Sequence, residues 1–235
     1  MCGRFVSVSP PDEIARYFDA AAPEAVLEPS YNVAPTEDAY VVLSDGAGRR
    51  VEALHWGLVP SWARDPRIGS RMINARAEAL ASSNAFKAAL RRRRCLVPAD
   101  GFYEWRPVAG TRRKQPCFVH HPGGEPLALA GLWEEWRRPG GPGNDRLRSF
   151  TIVTTPPNDV LAPIHDRMPA ILPPEVWGAW LDPGRADPEV LSRLLVPAPA
   201  SLTVAHPVST EVNDARHQGR HLVEEVPAEE VAGAG

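Results

Sequence analysis

Residues 4–8 alternate along the chain in the two-residue period of a strand. Ser9-Pro10-Pro11-Asp12 then reads as a helix start, with Ser9 as N-cap, Pro10 in the first turn and Asp12 completing a box-like pattern, which predicts a helix to about Phe18. The prolines between residues 28 and 36 predict an extended loop. Apolar runs at 39–43 and 50–54 flank Asp45-Gly46, which signals a hairpin. The Ala- and Leu-rich stretch from Asn74 to Arg91 predicts a helix with Asn84 as a break, ended by the arginine run at 91–94.

Residues 95–98 and 102–105 read as strands around the turn Ala99-Asp100-Gly101, and 117–120, 127–133 and 150–155 as three more. Pro139-Gly140-Gly141-Pro142-Gly143 predicts a flexible insertion between the last two. Short helices are expected at 158–161, 174–181 and 188–195, then a late strand at 202–205. After about Val223 the acidic, Ala- and Gly-rich composition predicts a disordered tail over 223–235. With no internal repeat and no clear linker, the pattern predicts one domain over residues 2–222. Many short strands and few long helices make the expected fold α+β: a β-rich, barrel-like core with peripheral helices.

Composition supports this. The 26 prolines are about twice ordinary usage, and 18 glycines are spread along 235 residues, favouring turns over long helices. No run approaches the roughly 18 apolar residues of a membrane span, and the start has no signal-peptide core, so no membrane partner and a cytoplasmic location are expected. Cys2, Cys95 and Cys117 include no CxxC pair and leave one thiol unpaired in any disulfide scheme, as suits a reducing compartment. His217 and His221 have helix-neighbour spacing but no third metal ligand nearby, so neither metal nor cofactor is expected. A net charge of −3 hides an asymmetry. Residues 49–114 hold 15 Lys or Arg against 5 Asp or Glu, a net of +10, so the middle of the chain is suited to a polyanion. Only Lys87 and Lys114 are lysines, and arginine suits bidentate phosphate contacts.

The opening Met1-Cys2-Gly3-Arg4-Phe5 carries the most distinctive chemistry. Removal of Met1 would leave Cys2 with a free amine and a thiol on adjacent carbons. Such a 1,2-aminothiol condenses with an aldehyde to an imine, which the thiol closes to a thiazolidine. Ordinary pKa values of about 7.7–8.0 for the amine and about 8.5 for the thiol leave part of each reactive near neutrality. With Met1 in place the nitrogen is an amide and the capture cannot run.

Three internal segments combine uncommon polar residues with rigid surroundings: Ile73-Asn74-Ala75-Arg76-Ala77-Glu78, Pro98-Ala99-Asp100-Gly101-Phe102-Tyr103-Glu104-Trp105 and Pro163-Ile164-His165-Asp166-Arg167-Met168-Pro169. Each has an ordinary structural reading: Asn74 as a helix cap, Glu104 as the outward residue of a strand, 165–167 as a salt-bridged loop. Together with the N-terminus, Tyr31-Asn32-Val33-Ala34-Pro35 and Trp56-Gly57-Leu58-Val59-Pro60-Ser61-Trp62, they closely resemble the SOS-response-associated peptidase family, in family order over residues 2–222.

The resemblance implies covalent capture of abasic sites in single-stranded DNA through a thiazolidine at the processed Cys2, and a self-processing peptidase activity that removes Met1. It implies Cys2, Asn74, Glu104 and His165 as active-site residues. Phosphate and base contacts are implied at Arg4, Arg76, Trp105 and Arg167, with Trp56 and Trp62 as further aromatic surfaces. A monomer is expected, cytoplasmic and associated with the nucleoid during DNA damage. Glu104 beside Tyr103 and Trp105 is expected to have a raised pKa and to serve the Cys2 amine while His165 assists sugar ring opening, or the two roles are exchanged. The competing readings are an N-terminal-nucleophile thiol peptidase or amidohydrolase using the same residues, and a non-catalytic single-strand-binding module.

Overall fold

The Asp45-Gly46 hairpin forms as its sequence directs. The Asp45 carboxylate accepts the backbone N–H groups of Ala47 and Gly48, Gly46 takes φ +92°, and Ser44 pairs with Arg49 across the turn. A computed structural model describes residues 2–140 and 145–227. In chain order its elements are β1 (Phe5–Ser7), α1 (Pro11–Tyr17), β2 (Ser30–Val33), β3 (Asp38–Ser44), β4 (Arg49–Trp56), β5 (Asn74–Arg76), α2 (Lys87–Arg92), β6 (Arg94–Ala99), β7 (Gly101–Pro107), β8 (Lys114–His120), β9 (Leu127–Arg137), β10 (Arg146–Thr155), β11 (Met168–Pro169), α3 (Pro174–Leu181), α4 (Pro188–Ser192) and β12 (Val204–Pro207).

Five of these strands close a mixed barrel. β4, β3, β6, β9 and β10 pair antiparallel in that order, and β10 returns to β4 in parallel through Ser149 opposite His55 and Phe150 opposite Trp56. Alternate residues fill the inside, among them Val41, Leu43, Leu54, Trp56, Val97, Leu129, Phe150 and Ile152. Tyr40, Val42, Leu96, Ala130 and Val153 face outward, where Phe18, Leu90, Trp177 and Trp180 from the helical side cover them. Burial on both faces explains why residues 39–43 are an unbroken apolar run. The fold is thus a single α+β domain with a barrel core.

A second, antiparallel sheet in the order β12-β8-β7-β1-β2 carries the N-terminus. The turn at Asp100 joins no hairpin: it hands the chain from β6 in the barrel to β7 in the second sheet. The Asp100 carboxylate accepts the N–H groups of Val8 and Ser9 and the Ser9 hydroxyl, which locks that turn onto β1. Ser9 is therefore not the cap of α1; Pro10 stands at the N-cap with no side-chain bond, and Pro11 begins the helix.

Other expectations change with tertiary context. Residues 30–33 form β2 on the edge of β1 instead of a loop. The Ala-rich stretch is not one helix, because Asn74–Arg76 pairs with β10 as β5, and only Lys87–Arg92 is α-helical. The segment at 158–161 is a set of turns held by Asn158, whose buried carboxamide accepts Leu161 N–H and donates to Ala198 O and Thr203 Oγ1. Of the glycine-rich insertion, 141–143 lies outside the described residues, as do residue 144 and the tail from 228.

Candidate active site

The ladder from Phe5 opposite Phe102 continues through the Tyr103 N–H to Arg4 O bond (3.0 Å) and carries the N-terminal residues along β7. Glu104 lies on the same face of β7 as Phe102, which packs with Cys2 and with Cys117, the residue opposite Glu104, in the barrel-side core. A carboxyl is thereby set among apolar neighbours; Glu104 is 1% exposed and Cys2 fully buried. Parallel pairing of Ile152 with Asn74 brings β5 to the same place, and Asn74 Nδ2 donates to Cys2 O at 2.8 Å. The Asn74 Oδ1 is buried and, among the described residues, has no hydrogen-bond partner. His165 ends the turns after β10 and stands with Nε2 4.0 Å from Glu104 Oε2. Its Nδ1 accepts the Arg167 N–H at 3.0 Å, and Asp166 Oδ1 lies 2.8 Å from the same nitrogen.

Burial pushes the Glu104 carboxyl above its ordinary range, and His165 only partly offsets this. The same burial, reinforced by the Glu104 charge, pushes the Cys2 thiol far upward, so Cys2 is a protonated thiol at neutral pH rather than a partly ionised one. The site therefore brings a carboxyl with a raised pKa, an imidazole, an amide and a protonated sulfur together in one largely buried corner.

The expected DNA contacts divide. Arg76 is exposed at the end of β5 and, among the described residues, has no ion-pair partner; Trp62 is 59% exposed on the loop after β4. Gly57 permits that loop: its φ is +129°, and a Cβ there would meet Gly69 O at 2.7 Å. Arg4, Trp105 and Arg167 are held in frameworks. Arg4 donates to Asn32 Oδ1 and to the carbonyls of Val212 and Asn213, the Trp105 indole donates to Asn213 Oδ1 at 2.7 Å, and Arg167 makes a bidentate pair with Glu78. Trp56 corrects the expectation of an aromatic surface. It is fully buried, packed against Phe5 and Phe150, with its indole N–H on Ile73 O at 3.0 Å, so no base can reach it.

The arginine run also breaks up. Arg91 and Arg92 are exposed, Arg93 pairs with buried Glu134, and Arg94 is buried against the carbonyls of Leu90, Trp180 and Asp182. Glu78 was legible only as a neighbour of Asn74, and nothing local announced that it clamps Arg167 across the chain. All three cysteines are buried free thiols, and among the described residues no three metal-ligating side chains gather. No helix of the described residues is long and apolar enough to cross a membrane.

The family model described as SOS response associated peptidase (SRAP) matches residues 1–215. The chain is 42% identical over 226 residues to the abasic site processing protein YoqW of Bacillus subtilis, covering 95% of this chain and 99% of that one. It is 33% identical over 265 residues to the abasic site processing protein HMCES of Rattus norvegicus, covering 92% and 74%. A solved structure from Bacteroides thetaiotaomicron shares the fold with a TM-score of 0.83 at 23% identity, over 96% of this chain and 100% of the other. Another, from Bordetella bronchiseptica, has a TM-score of 0.73 at 26% identity, over 88% and 100%. With the family model matched across nearly its whole length and relatives above 30% identity along most of it, the chain belongs to the SOS response associated peptidase (SRAP) family.

Proposed function

We propose that this protein processes abasic sites in single-stranded DNA by trapping the sugar aldehyde on Cys2 as a thiazolidine, after hydrolysis of the Met1–Cys2 bond by the protein itself has freed the amine. The observation that carries the reading is the Asn74 to Cys2 hydrogen bond beside a buried Glu104 with His165 4.0 Å away: acid, base and amide converge on the residue that becomes the N-terminus. The abasic-site names of its relatives support the same substrate.

The steps balance without an oxidant, metal or cofactor. His165 moves the proton from the C1′ hydroxyl to the ring oxygen as the closed sugar opens to the aldehyde. The Cys2 amine adds to the carbonyl carbon, and the raised Glu104 carboxyl protonates the departing hydroxyl, so one water leaves as the C=N bond forms. Glu104, now a carboxylate, takes the Cys2 thiol proton while sulfur adds to the carbon of the protonated C=N bond, whose electron pair returns to the nitrogen; that nitrogen keeps its one hydrogen and the ring closes neutral. Asn74 Oδ1 accepts from the amine or a sugar hydroxyl throughout. The order follows from burial: the amine leads because the thiol is held protonated until a base stands beside it. A thiol peptidase would need an ionised sulfur at the outset, which this environment opposes.

Arg76 and Trp62 supply phosphate neutralisation and base stacking, both indifferent to sequence. The deciding assay incubates the Met1-free protein with a single-stranded oligonucleotide holding one abasic site. A denaturant-stable adduct is expected, abolished by Cys2→Ala with binding largely kept. An adduct that survives Cys2→Ala, or peptide cleavage with no adduct, refutes the reading.

A further inference from the structure

The segment Tyr31-Asn32-Val33-Ala34-Pro35 stands out in the sequence but takes no part in the chemistry above. Asn32 is fully buried on β2, and each atom of its carboxamide is engaged. Its Nδ2 donates to three carbonyls of one C-terminal segment, Val212 at 3.2 Å, Asp214 at 3.0 Å and His217 at 3.3 Å. Its Oδ1 accepts from Arg4 Nη1 at 2.9 Å. The segment it holds supplies the rest of the Arg4 cage, Val212 O at 3.0 Å and Asn213 O at 3.3 Å, and also the Asn213 Oδ1 that fixes the Trp105 indole. A cation just ahead of β1 and an aromatic ring on β7 are thus oriented by one strap, which the Asn32 carboxamide ties through its backbone carbonyls and the buried Val212 side chain seats in the core.

We infer that Asn32 is a positioning residue: by tying down residues 212–217 it presets Arg4 and Trp105 to grip the DNA strand next to the lesion. The inference rests on the proposed DNA reading and adds a residue and a segment to it. The energetic logic is preorganisation. A guanidinium has five donors, and the three spent on Asn32, Val212 and Asn213 leave Nε and one Nη2 hydrogen for a phosphate in a fixed orientation. Without the strap, Arg4 and Trp105 must be ordered when DNA binds, which weakens affinity and leaves the chemical step untouched. Asn32 acts through Arg4 and touches neither Cys2 nor Glu104 among its bonds.

The test measures two quantities for wild type, Asn32→Leu, Arg4→Ala and the double variant. One is the Kd for undamaged single-stranded oligonucleotide against salt; the other is the adduct rate against concentration of abasic-site oligonucleotide. Asn32→Leu is expected to raise Kd at least about tenfold and to flatten the salt slope by about 0.7, one phosphate contact on a single strand. Its saturating adduct rate should stay within twofold of wild type. In the double variant Kd should exceed that of Arg4→Ala alone by no more than about two- to fivefold, the share carried by Trp105, because the Arg4 contact is already gone. Asn213→Ala, at an exposed position, frees only the Trp105 indole and decides the matter where Asn32→Leu yields no folded protein: it should raise Kd about two- to fivefold and add nothing to Trp105→Ala. Folded Asn32→Leu that binds like wild type, losses that add in the double variants, or a saturating rate that falls with affinity each overturn the inference. Wild-type protein that binds no single strand overturns the DNA reading itself, and this inference with it.

Discussion

Replacing Trp56 with phenylalanine separates a core residue from a DNA platform. The indole is fully buried, its ring plane lies within 10° of that of Phe150 at 6.4 Å, and Phe5 meets it edge-on at 5.0 Å. Full truncation of such a residue costs about 3–5 kcal/mol, so losing one of its two fused rings costs roughly 2 kcal/mol in contacts and residual cavity. The Nε1 bond to Ile73 O adds about 1 kcal/mol. No further penalty for an orphaned acceptor arises, since Ile73 O also accepts Ile152 N–H at 3.0 Å. The sum, about 3 kcal/mol, lowers Tm by roughly 6–12 °C in a domain of this size. Ile73 directly precedes Asn74, so the slackened strand should slow adduct formation more than it weakens DNA binding. Thermal melting, binding of undamaged single strand and single-turnover adduct formation read the three quantities. Trp56→Phe that melts within about 2 °C of wild type yet loses DNA affinity would refute the core assignment.

Two further predictions follow from the site and its rim. Burial raises the folded-state pKa of Glu104, so the folded protein binds its proton more tightly than the unfolded chain does, and the resulting stability is lost as pH rises from the unfolded carboxylate value through the folded one. Glu104→Gln should therefore gain in Tm over wild type as pH rises from about 4 to neutrality, while adduct formation falls by about 100-fold or more; a Tm difference that is flat or shrinks with pH contradicts the assignment. Trp62→Ala should lose about 1–3 kcal/mol of single-strand affinity with stability changed by no more than about 0.5 kcal/mol, as expected at an exposed site. Unchanged affinity in filter binding would remove Trp62 from the interface.

The strands were legible because their signals are local. Alternation at the N-terminus, the Asp45-Gly46 turn and the apolar runs that became β6 to β10 appear where their sequences predict them. Cys2, Asn74, Glu104 and His165 were legible through the order of their motifs, although no local rule says that they meet. Where local and long-range preferences conflicted, the long-range ones prevailed: Asn74–Arg76 left a helix-favouring stretch to pair with β10, and Ser9 gave up its cap to hold Asp100.

The chain alone determined which segments can be strands, which residues bear carboxyl, imidazole, amide and thiol groups, and which family they belong to, because side-chain type and short-range period are written residue by residue. Tertiary structure alone decided that β6 and β7 enter different sheets, that Trp56 is core while Trp62 is surface, that one arginine run splits between solvent, a salt bridge and the interior, and that Asn32 anchors a strap far along the chain. It also raised the pKa of Glu104 and of Cys2, since a shift by desolvation exists only once barrel closure and the β5–β10 pairing have removed water from around them.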